Sequence, residues 1–501
     1  MIAWTIVQIG VLVWAIQMLW KYYKASGGNK FGLPEPPGPY GLPVVGYMPF
    51  LGSKPHLTFT KLSQKYGDIF QVQLGSQKVV VLNSLDVIKE AHIQDASFAG
   101  RPNSAPFQIF LKSSSSSFSF RTGNAQWKLL RKIAIKALGM FASSRNSRLE
   151  AVVGEANEEL HAELEASNGE YFDPQQNIFS CTASVIGTIL FGLDFSNKDT
   201  LLKPILSANQ KFADFFATGS ILDSLPLGSL IMRHKVKDFV KSLEPVVALV
   251  DNHIAEHLVH CEEEDDVRDV ADAVVLAAKQ TPSDLKQQLG LTDDRIRCIT
   301  RDLFGAGFAT VMESFRWAIN LLAAFPDVQE RARKELAEVC GDRPLQLIDR
   351  SNIHYNEAVL LETFRFSSLL TLSLPHSTME DTTLRGYFIP KGTTIFTNLF
   401  AHHYNPQYFP DPESFTPDRF LTADGKLDAD KAQLVIPFGV GKRRCVGENL
   451  ARQELSLLIG RLLQQFEIRQ DTNNPINIRD AMPGLTRGPI QTPLIFKKIA
   501  L

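Results

Sequence analysis

"FGVGKRRCVG", residues 438–447, sets one cysteine in a loop with three glycines and three consecutive cations. The next segment, "GENLARQELSLLIGRLLQQF" (447–466), has helical periodicity, so Cys445 stands just before a helix start. Unpaired backbone N–H groups at a helix N-terminus and nearby cations both favour thiolate over thiol. A thiolate held this way is a nucleophile or a metal ligand. No histidine lies near it in sequence to act as a base. The loop therefore suits a ligand, and Arg443 suggests an anionic cofactor beside it.

Three further patterns point the same way. "ETFR" (362–365) puts Glu362 and Arg365 three apart, on one helix face. "PDRF" (417–420) supplies Arg419 in a proline-punctuated loop, and "WKLLR" (127–131) sets Trp127 and Arg131 one turn apart, both able to reach a carboxylate.

The chain has 501 residues, 44% hydrophobic and 21% charged, which is ordinary globular composition. No Ser/Gly-rich linker divides residues 50–501, so one large catalytic domain is expected. A formal charge of -2 argues against nucleic acid as a partner. Five cysteines with no CxxC pair argue against a disulfide framework and for a reducing, cytosol-facing location. The middle of the chain reads as helices, with strand-like segments near both ends. "IFQVQLGSQKVVVLNS" (69–84) has the β-branched content and central Gly75-Ser76 turn of a hairpin; "TTIFTNLF" (393–400) reads as a strand, and "DVQERARKELAEVC" (327–340) as an amphipathic helix.

The N-terminal run "IAWTIVQIGVLVWAIQMLW" (2–20) would span roughly 28 Å as a helix, close to a bilayer core. Lys21 and Lys24 follow it and no Lys or Arg precedes it, so the positive-inside rule leaves the body in the cytosol. We expect an uncleaved transmembrane anchor (1–20), a basic and proline-rich hinge (21–46), and the catalytic domain (47–501). "HIAEHLVH" places His253, His257 and His260 at i, i+4, i+7, a zinc-compatible spacing. It lacks the H-E-x-x-H glutamate and abuts an acidic run, so a solvated helix end is expected.

Phe438, Gly441, Arg443, Cys445 and Gly447 form the phrase F-x-x-G-x-R-x-C-x-G, and with E-x-x-R, P-x-R-F, W-x-x-x-R and a Thr-bearing Ala-Gly helix in order they resemble the microsomal cytochrome P450 superfamily across essentially the whole chain. The resemblance implies a mainly α fold with small β-sheets, the cytochrome P450 fold, holding haem b (iron protoporphyrin IX) with Cys445 as the axial iron ligand. It implies that Trp127, Arg131, His376 and Arg443 hold the haem propionates, with Phe438 and Gly441 in the cofactor loop. Glu362, Arg365 and Arg419 would form a buried network bracing the proximal side.

"DLFGAGFATVMESFRWAINLL" (302–322) resembles the family's oxygen-face helix. Gly305 and Gly307 each cost a helix interior up to about 1 kcal/mol, which makes sense if the backbone must leave space for O2. Thr310 would donate a hydrogen bond to the oxygen. The family places Asp or Glu just before this threonine, whereas this chain has Ala309; Asp302 and Glu313 are nearby in sequence. A peroxide-driven or isomerase enzyme is the alternative that Ala309 motivates.

No nicotinamide or flavin motif is present, so electrons must come from a partner: by resemblance NADPH–cytochrome P450 reductase in the endoplasmic reticulum membrane, with cytochrome b5 as a second donor. Lys128, Lys132 and Lys136 at i, i+4, i+8, with Lys442 and Arg444, would form its docking face. "FGAGFAT" (304–310), "SLPHSTMEDTTLRGYFIPK" (373–391) and "RFLTADG" (419–425) look closest to animal family 1, the aryl hydrocarbon hydroxylase group, with the steroid 17-alpha-hydroxylase/17,20-lyase branch as the alternative. The first implies a flat pocket for planar aromatic or steroid-like molecules, with Phe120, Phe212 and Phe308 lining it and Ala306 next to the haem.

Overall fold

The computed structural model describes residues 31–103, 117–141, 147–193, 198–218, 232–261, 263, 267–482 and 484–499. Its longer helices are α1 (Pro55–Tyr66), α2 (Ala125–Phe141), α3 (Ser147–Glu165), α4 (Gln175–Phe191), α5 (Lys198–Thr218), α6 (Arg233–His260), α7 (Val270–Lys279), α8 (Asp293–Ala324), α9 (Pro326–Cys340), α10 (His354–Ser367) and α11 (Glu448–Gln465). Among the described residues ten short strands accompany them, from β1 (Ile69–Leu74) and β2 (Gln77–Leu82) through β3 (His376–Ser377), β4 (Thr382–Leu384), β5 (Tyr387–Ile389), β6 (Thr394–Thr397), β7 (Phe466–Arg469), β8 (Ala481–Met482) and β9 (Gly488–Pro489) to β10 (Ile495–Lys498). The fold is mainly α with small sheets. The expected anchor (2–20) lies outside the described residues. Among those described, no helix is long and apolar enough to cross a membrane.

α8 is the axis of the molecule. Thr292 precedes it in extended backbone, Asp293 and Asp294 sit in its first turn where the helix dipole favours anions, and Pro326 prevents its continuation. It packs against α4, α6, α7, α10 and α11. Its C-terminal half, from Val311 to Ala323, is almost wholly buried around Trp317, so core packing holds that half rigid. The N-terminal half differs: Gly305 and Ala306 are open to an internal cavity.

The largest sheet, ordered β1-β2-β6-β3, brings distant segments together. β1 and β2 form the hairpin expected from the Gly75-Ser76 turn, with Leu74 opposite Gln77. β2 runs parallel to β6, and β3 antiparallel to it with His376 opposite Ile395. The segment 393–400 is a shorter strand than its β-branched content suggests, because Asn398 caps a short helix from Leu399 by accepting from the Ala401 N–H. Beyond β3, Gly100 and Ser377 exchange backbone hydrogen bonds of 3.0 and 3.1 Å. That bridge sets Arg101 beside His376.

The end of α6 corrects the expectation of a solvated histidine cluster. His257 is buried; its Nδ1 donates to the His253 carbonyl at 2.7 Å and its Nε2 to Asp269 Oδ2 at 2.7 Å, with Asp272 Oδ1 at 3.9 Å. Asp269 also caps α7, accepting from the Asp272 N–H, and Asp272 takes Arg268 Nε at 2.8 Å. Two cations thus balance two carboxylates, and His260 points to solvent. Burial works against the charged His257 ring, but the hydrogen bond and charge of Asp269, the His253 carbonyl and Asp272 outweigh it and raise its pKa above the usual 6.5.

A raised folded-state pKa contributes stability that is fully present below the unfolded value, about 6.5, and lost as pH rises through the folded one. The thermal midpoint of the wild type is expected to fall over that alkaline-side window, and His257→Gln to flatten that fall. Parallel pH profiles for the two proteins would contradict the assignment.

Candidate haem-binding site

One cavity of about 470 Å³ lies between α8 and the loop before α11. Cys445, Thr310, Ala309, Ala306, Trp127, Arg131, His376, Arg443 and Phe438 all border it, as do Phe120, Phe212 and Phe308. The structure thus gathers residues from 120 to 445 around one space.

Local geometry explains the cysteine loop. Gly439 and Gly441 take φ of +71° and +72°, which favours glycine, and a Cβ on Gly441 would lie 1.9 Å from the His92 carbonyl oxygen. No other residue fits there. The Cys445 N–H donates to the Phe438 carbonyl at 2.9 Å and closes the loop, while the Phe438 ring meets Phe364 edge-on at 5.3 Å. Gly447 then caps α11. Cys445 is open to the cavity and otherwise enclosed by protein. Burial pushes its thiol pKa up, and Glu448 adds to that; the Gly447 N–H, Arg131 and Arg444 pull the other way without prevailing. This corrects the expectation that helix start and cations suffice to favour thiolate. A metal cation at the sulfur would supply the missing stabilisation, since a coordinating thiol is deprotonated.

Facing the loop, Arg443 lies over the Trp127 ring at 3.9 Å and donates to the carbonyls of Ala99 (2.9 Å) and Arg121 (2.7 Å). Arg131, one turn after Trp127, donates to the Arg444 carbonyl. Arg101 was not singled out from sequence, yet it is here too, donating to Ser119, Leu374 and Pro375 carbonyls at 2.8–3.0 Å. Among the described residues, none of the three guanidiniums pairs with a carboxylate. Burial and mutual repulsion bring Arg101 down to about 10 and Arg443 down to about 8. Three half-buried, unbalanced cations facing one cavity suit an anion of more than one charge, and a dicarboxylate such as a porphyrin's propionate pair fits.

Beside them the rings of His92 and His376 lie 4.2 Å apart. His92 bonds Thr397 Oγ1 at 2.8 Å, and His376 Nδ1 donates to the Phe98 carbonyl at 3.0 Å. Burial, then nearby positive charge, lowers both pKa values, His92 to about 4. With Nδ1–H taken, His376 Nε2 can donate to a carboxylate only as imidazolium, a form that a bound anion would favour. His92 was also missed, as nothing in "KEAHIQ" marks it locally.

On the opposite wall, Thr310 Oγ1 donates to the Ala306 carbonyl at 2.8 Å. Gly305 has open space where a Cβ would be, as a ligand-facing glycine should. Gly307 is different: its Cβ would lie 2.7 Å from Ile186 Cδ1, so this glycine serves the packing of α4 on α8. Asp302 is buried and accepts from Ser117 Oγ and the Ser119 N–H, both at 2.8 Å, which ties segment 117–121 to α8; burial pushes it to about 6. Phe308 packs edge-on against Phe179 at 5.8 Å, and Phe212 packs at a tilt against Phe239 at 6.2 Å, so both serve the core as well as the cavity.

Glu362, Arg365 and Arg419 meet away from the cavity. Glu362 takes Arg365 through two bonds of 2.7 and 2.8 Å, Arg419 Nε at 3.1 Å and the Thr416 N–H at 2.8 Å, with Glu362 and Arg365 wholly buried.

A sequence model of the family described as "Cytochrome P450" matches residues 36–496. Similar curated proteins include cytochrome P450 1A1 of Rattus norvegicus, 35% identical over 465 residues (91% of this chain, 88% of the relative). Those of Homo sapiens (36% over 447 residues; 87% of each chain) and Chelon auratus (34% over 462 residues; 89% and 88%) are also similar. With the cysteine loop, the unbalanced arginines and the open helix face lining one cavity, the chain belongs to the cytochrome P450 family of haem-thiolate monooxygenases.

Proposed function

We propose that this chain hydroxylates planar aromatic compounds, or steroids and lipids of similar flatness, using haem b ligated by Cys445 and electrons from NADPH. The observation that carries the reading is a single cavity with the thiol on one side, the Gly305–Thr310 face on the other and aromatic side chains around it. When bound, the haem supplies the redox chemistry that reduces O2 and inserts one atom into the substrate. The remaining work falls to the chain's own residues. Arg101, Arg131, Arg443 and His376 bind the propionates, with Trp127 stacked under Arg443. Phe438 and Gly441 hold the loop that presents Cys445. Glu362, Arg365 and Arg419 brace that side. Thr310 holds a proton at Oγ1 beside the reacting oxygen, for which its bond to the Ala306 carbonyl must open. Phe120, Phe212, Phe308 and Ala306 exclude water and favour flat ligands by stacking.

In this reading residues 2–20 anchor the protein in the endoplasmic reticulum membrane, residues 21–46 act as a hinge, and the body from residue 47 faces the cytosol. Lys128, Lys132, Lys136, Lys442 and Arg444 are exposed, which supports docking of NADPH–cytochrome P450 reductase and cytochrome b5 on that side. The relatives reported above carry the 1A1 name, which favours the aryl hydrocarbon branch over the steroid 17-alpha-hydroxylase branch.

The test compares a planar aryl ether with progesterone, using purified protein, NADPH and microsomal reductase, with a hydrogen peroxide reaction alongside. Reductase-dependent oxidation of the ether is expected to dominate, by about tenfold or more, as a shape-matched pocket discriminates. Preferential progesterone hydroxylation would move the substrate class to steroids. Product from peroxide alone would overturn the reductase-driven reading.

A further inference from the structure

Monooxygenation consumes two protons: RH + O2 + 2 e⁻ + 2 H⁺ → ROH + H2O. Ala309 cannot relay either of them. Three acids border the cavity, namely Asp302, Glu313 and Glu454. Asp302 is committed to Ser117 and Ser119 and lies two helical turns before Thr310. Glu454 is on α11, the helix that follows the cysteine, and not on the helix that carries Thr310. Asp302, seven residues before Ala309, and Glu313, four residues beyond it, both share the helix face of the missing acid, but Glu313 is the nearer, about 6 Å from Ala309 along the axis and three residues beyond Thr310.

We propose that Glu313 replaces the acid absent at position 309 and delivers protons, through ordered water, to the Thr310 side of the cavity. This rests on reading the Thr310 face as the oxygen face. The Glu313 side chain is only 12% exposed. Its Oε2 accepts from Arg316 Nη1 at 2.8 Å, and its Oε1 has no partner among the described residues. Arg316 Nη2 in turn donates to the Pro489 carbonyl at 3.3 Å. A Cβ on Gly488 would lie 2.8 Å from Glu313 Oε2, so the β8–β9 hairpin, whose tip residues Leu485 and Thr486 border the cavity, is built around this carboxyl.

Burial raises the Glu313 pKa, against the opposing charge and hydrogen bond of Arg316, the one ionised group acting on it. A proton is thus easier to hold than at an exposed glutamate, and Arg316 stabilises the carboxylate left when it departs. In each transfer the Glu313 O–H bond breaks, the proton passes to water hydrogen-bonded towards Thr310 Oγ1, and the carboxylate takes a proton back from solvent. The electrons come from NADPH through the redox partner.

The test measures hydrogen peroxide formed per NADPH consumed by the haem-loaded protein with its reductase. Glu313→Gln, which keeps shape and removes the acid, is expected to raise the peroxide share about fivefold or more, within what a positioned acid contributes. Adding Ala309→Asp to Glu313→Gln is expected to restore coupling. An infrared band of a protonated carboxyl, growing on acidification and missing in Glu313→Gln, is the readout independent of turnover. If Thr310→Val uncouples and Glu313→Gln does not, the inference fails while the oxygen-face reading stands. If neither uncouples, that reading fails with it. Uncoupling by Glu454→Gln alone would also overturn the inference. Should Glu313→Gln fail to bind haem, Glu313→Asp keeps the charge for Arg316 and retracts the acid. It is expected to raise the peroxide share about twofold, and unchanged coupling there is equally fatal.

Discussion

Cys445→Ser is expected to abolish the thiolate-type carbon monoxide spectrum of the reduced protein and to lower NADPH-driven turnover by at least roughly 10³-fold, about 4 kcal/mol of transition-state stabilisation. The substitution changes little else. Serine fits the loop, because what constrains it is backbone: the Cys445 N–H bond to Phe438, the positive φ of Gly439 and Gly441, and the approach of Gly441 to His92. What changes is the charge that the position can carry. The surroundings already disfavour an anion at Cys445 through burial, so only a soft, readily deprotonated atom becomes anionic there when iron binds. A hydroxyl does not, and the electron push that favours O–O cleavage is lost. The variant is expected to keep wild-type thermal stability in its haem-free form to within about 1 kcal/mol, as an isosteric change at an open position should. A thiolate-type spectrum surviving in Cys445→Ser would mean that another residue ligates the iron.

The sequence carried the parts of this site that depend on short spacings. Trp127 with Arg131, Glu362 with Arg365, and the loop from Phe438 to Gly447 each lie within one or two turns, so their geometry follows from helix periodicity and glycine placement. Arg101 and His92 could not be found that way. Arg101 is oriented by carbonyls of Leu374 and Pro375, more than 270 residues away, and the Gly100–Ser377 bridge that creates the arrangement joins segments with no local signature. Gly307 was misread for a related reason: the same residue type serves ligand space at 305 and helix packing at 307, and only the position of Ile186 separates them. His257 was misread because its partner, Asp269, caps the following helix from beyond an acidic run. The sign of the Cys445 shift was not legible either. Cations and a helix start are visible in sequence, while the depth of burial that outweighs them is a property of the whole fold.

Glu362→Leu is expected to destabilise the protein by about 3–5 kcal/mol, the cost of leaving a buried charge unpaired. That is a large share of the roughly 5–15 kcal/mol that holds a typical domain folded, so little haem-loaded protein should accumulate at 37 °C. The instructive experiment adds Arg365→Leu to it. For a simple buried ion pair, replacing both members by apolar residues is often neutral, since the desolvation of two charges is avoided. Here the pair is not simple. Arg365 also donates to the carbonyls of His403 (3.0 Å), Pro412 (2.8 Å) and Ser414 (3.1 Å), and Glu362 accepts from the Thr416 N–H and from Arg419. Removing both side chains strands those carbonyls, one N–H and the Arg419 guanidinium, which is itself held to Pro410, Asp411 and Ser414 carbonyls. Each stranded buried group costs about 1–3 kcal/mol. The double variant is therefore expected to stay at least about 3 kcal/mol less stable than the wild type, seen as a lower midpoint in urea and a lower yield of the haem-bound form. Recovery to wild-type stability would show that the three residues only neutralise one another. Persistent loss would show that Glu362 and Arg365 act as the knot fastening residues 403–419 to α10, the segment through which the chain passes on its way to the cysteine loop.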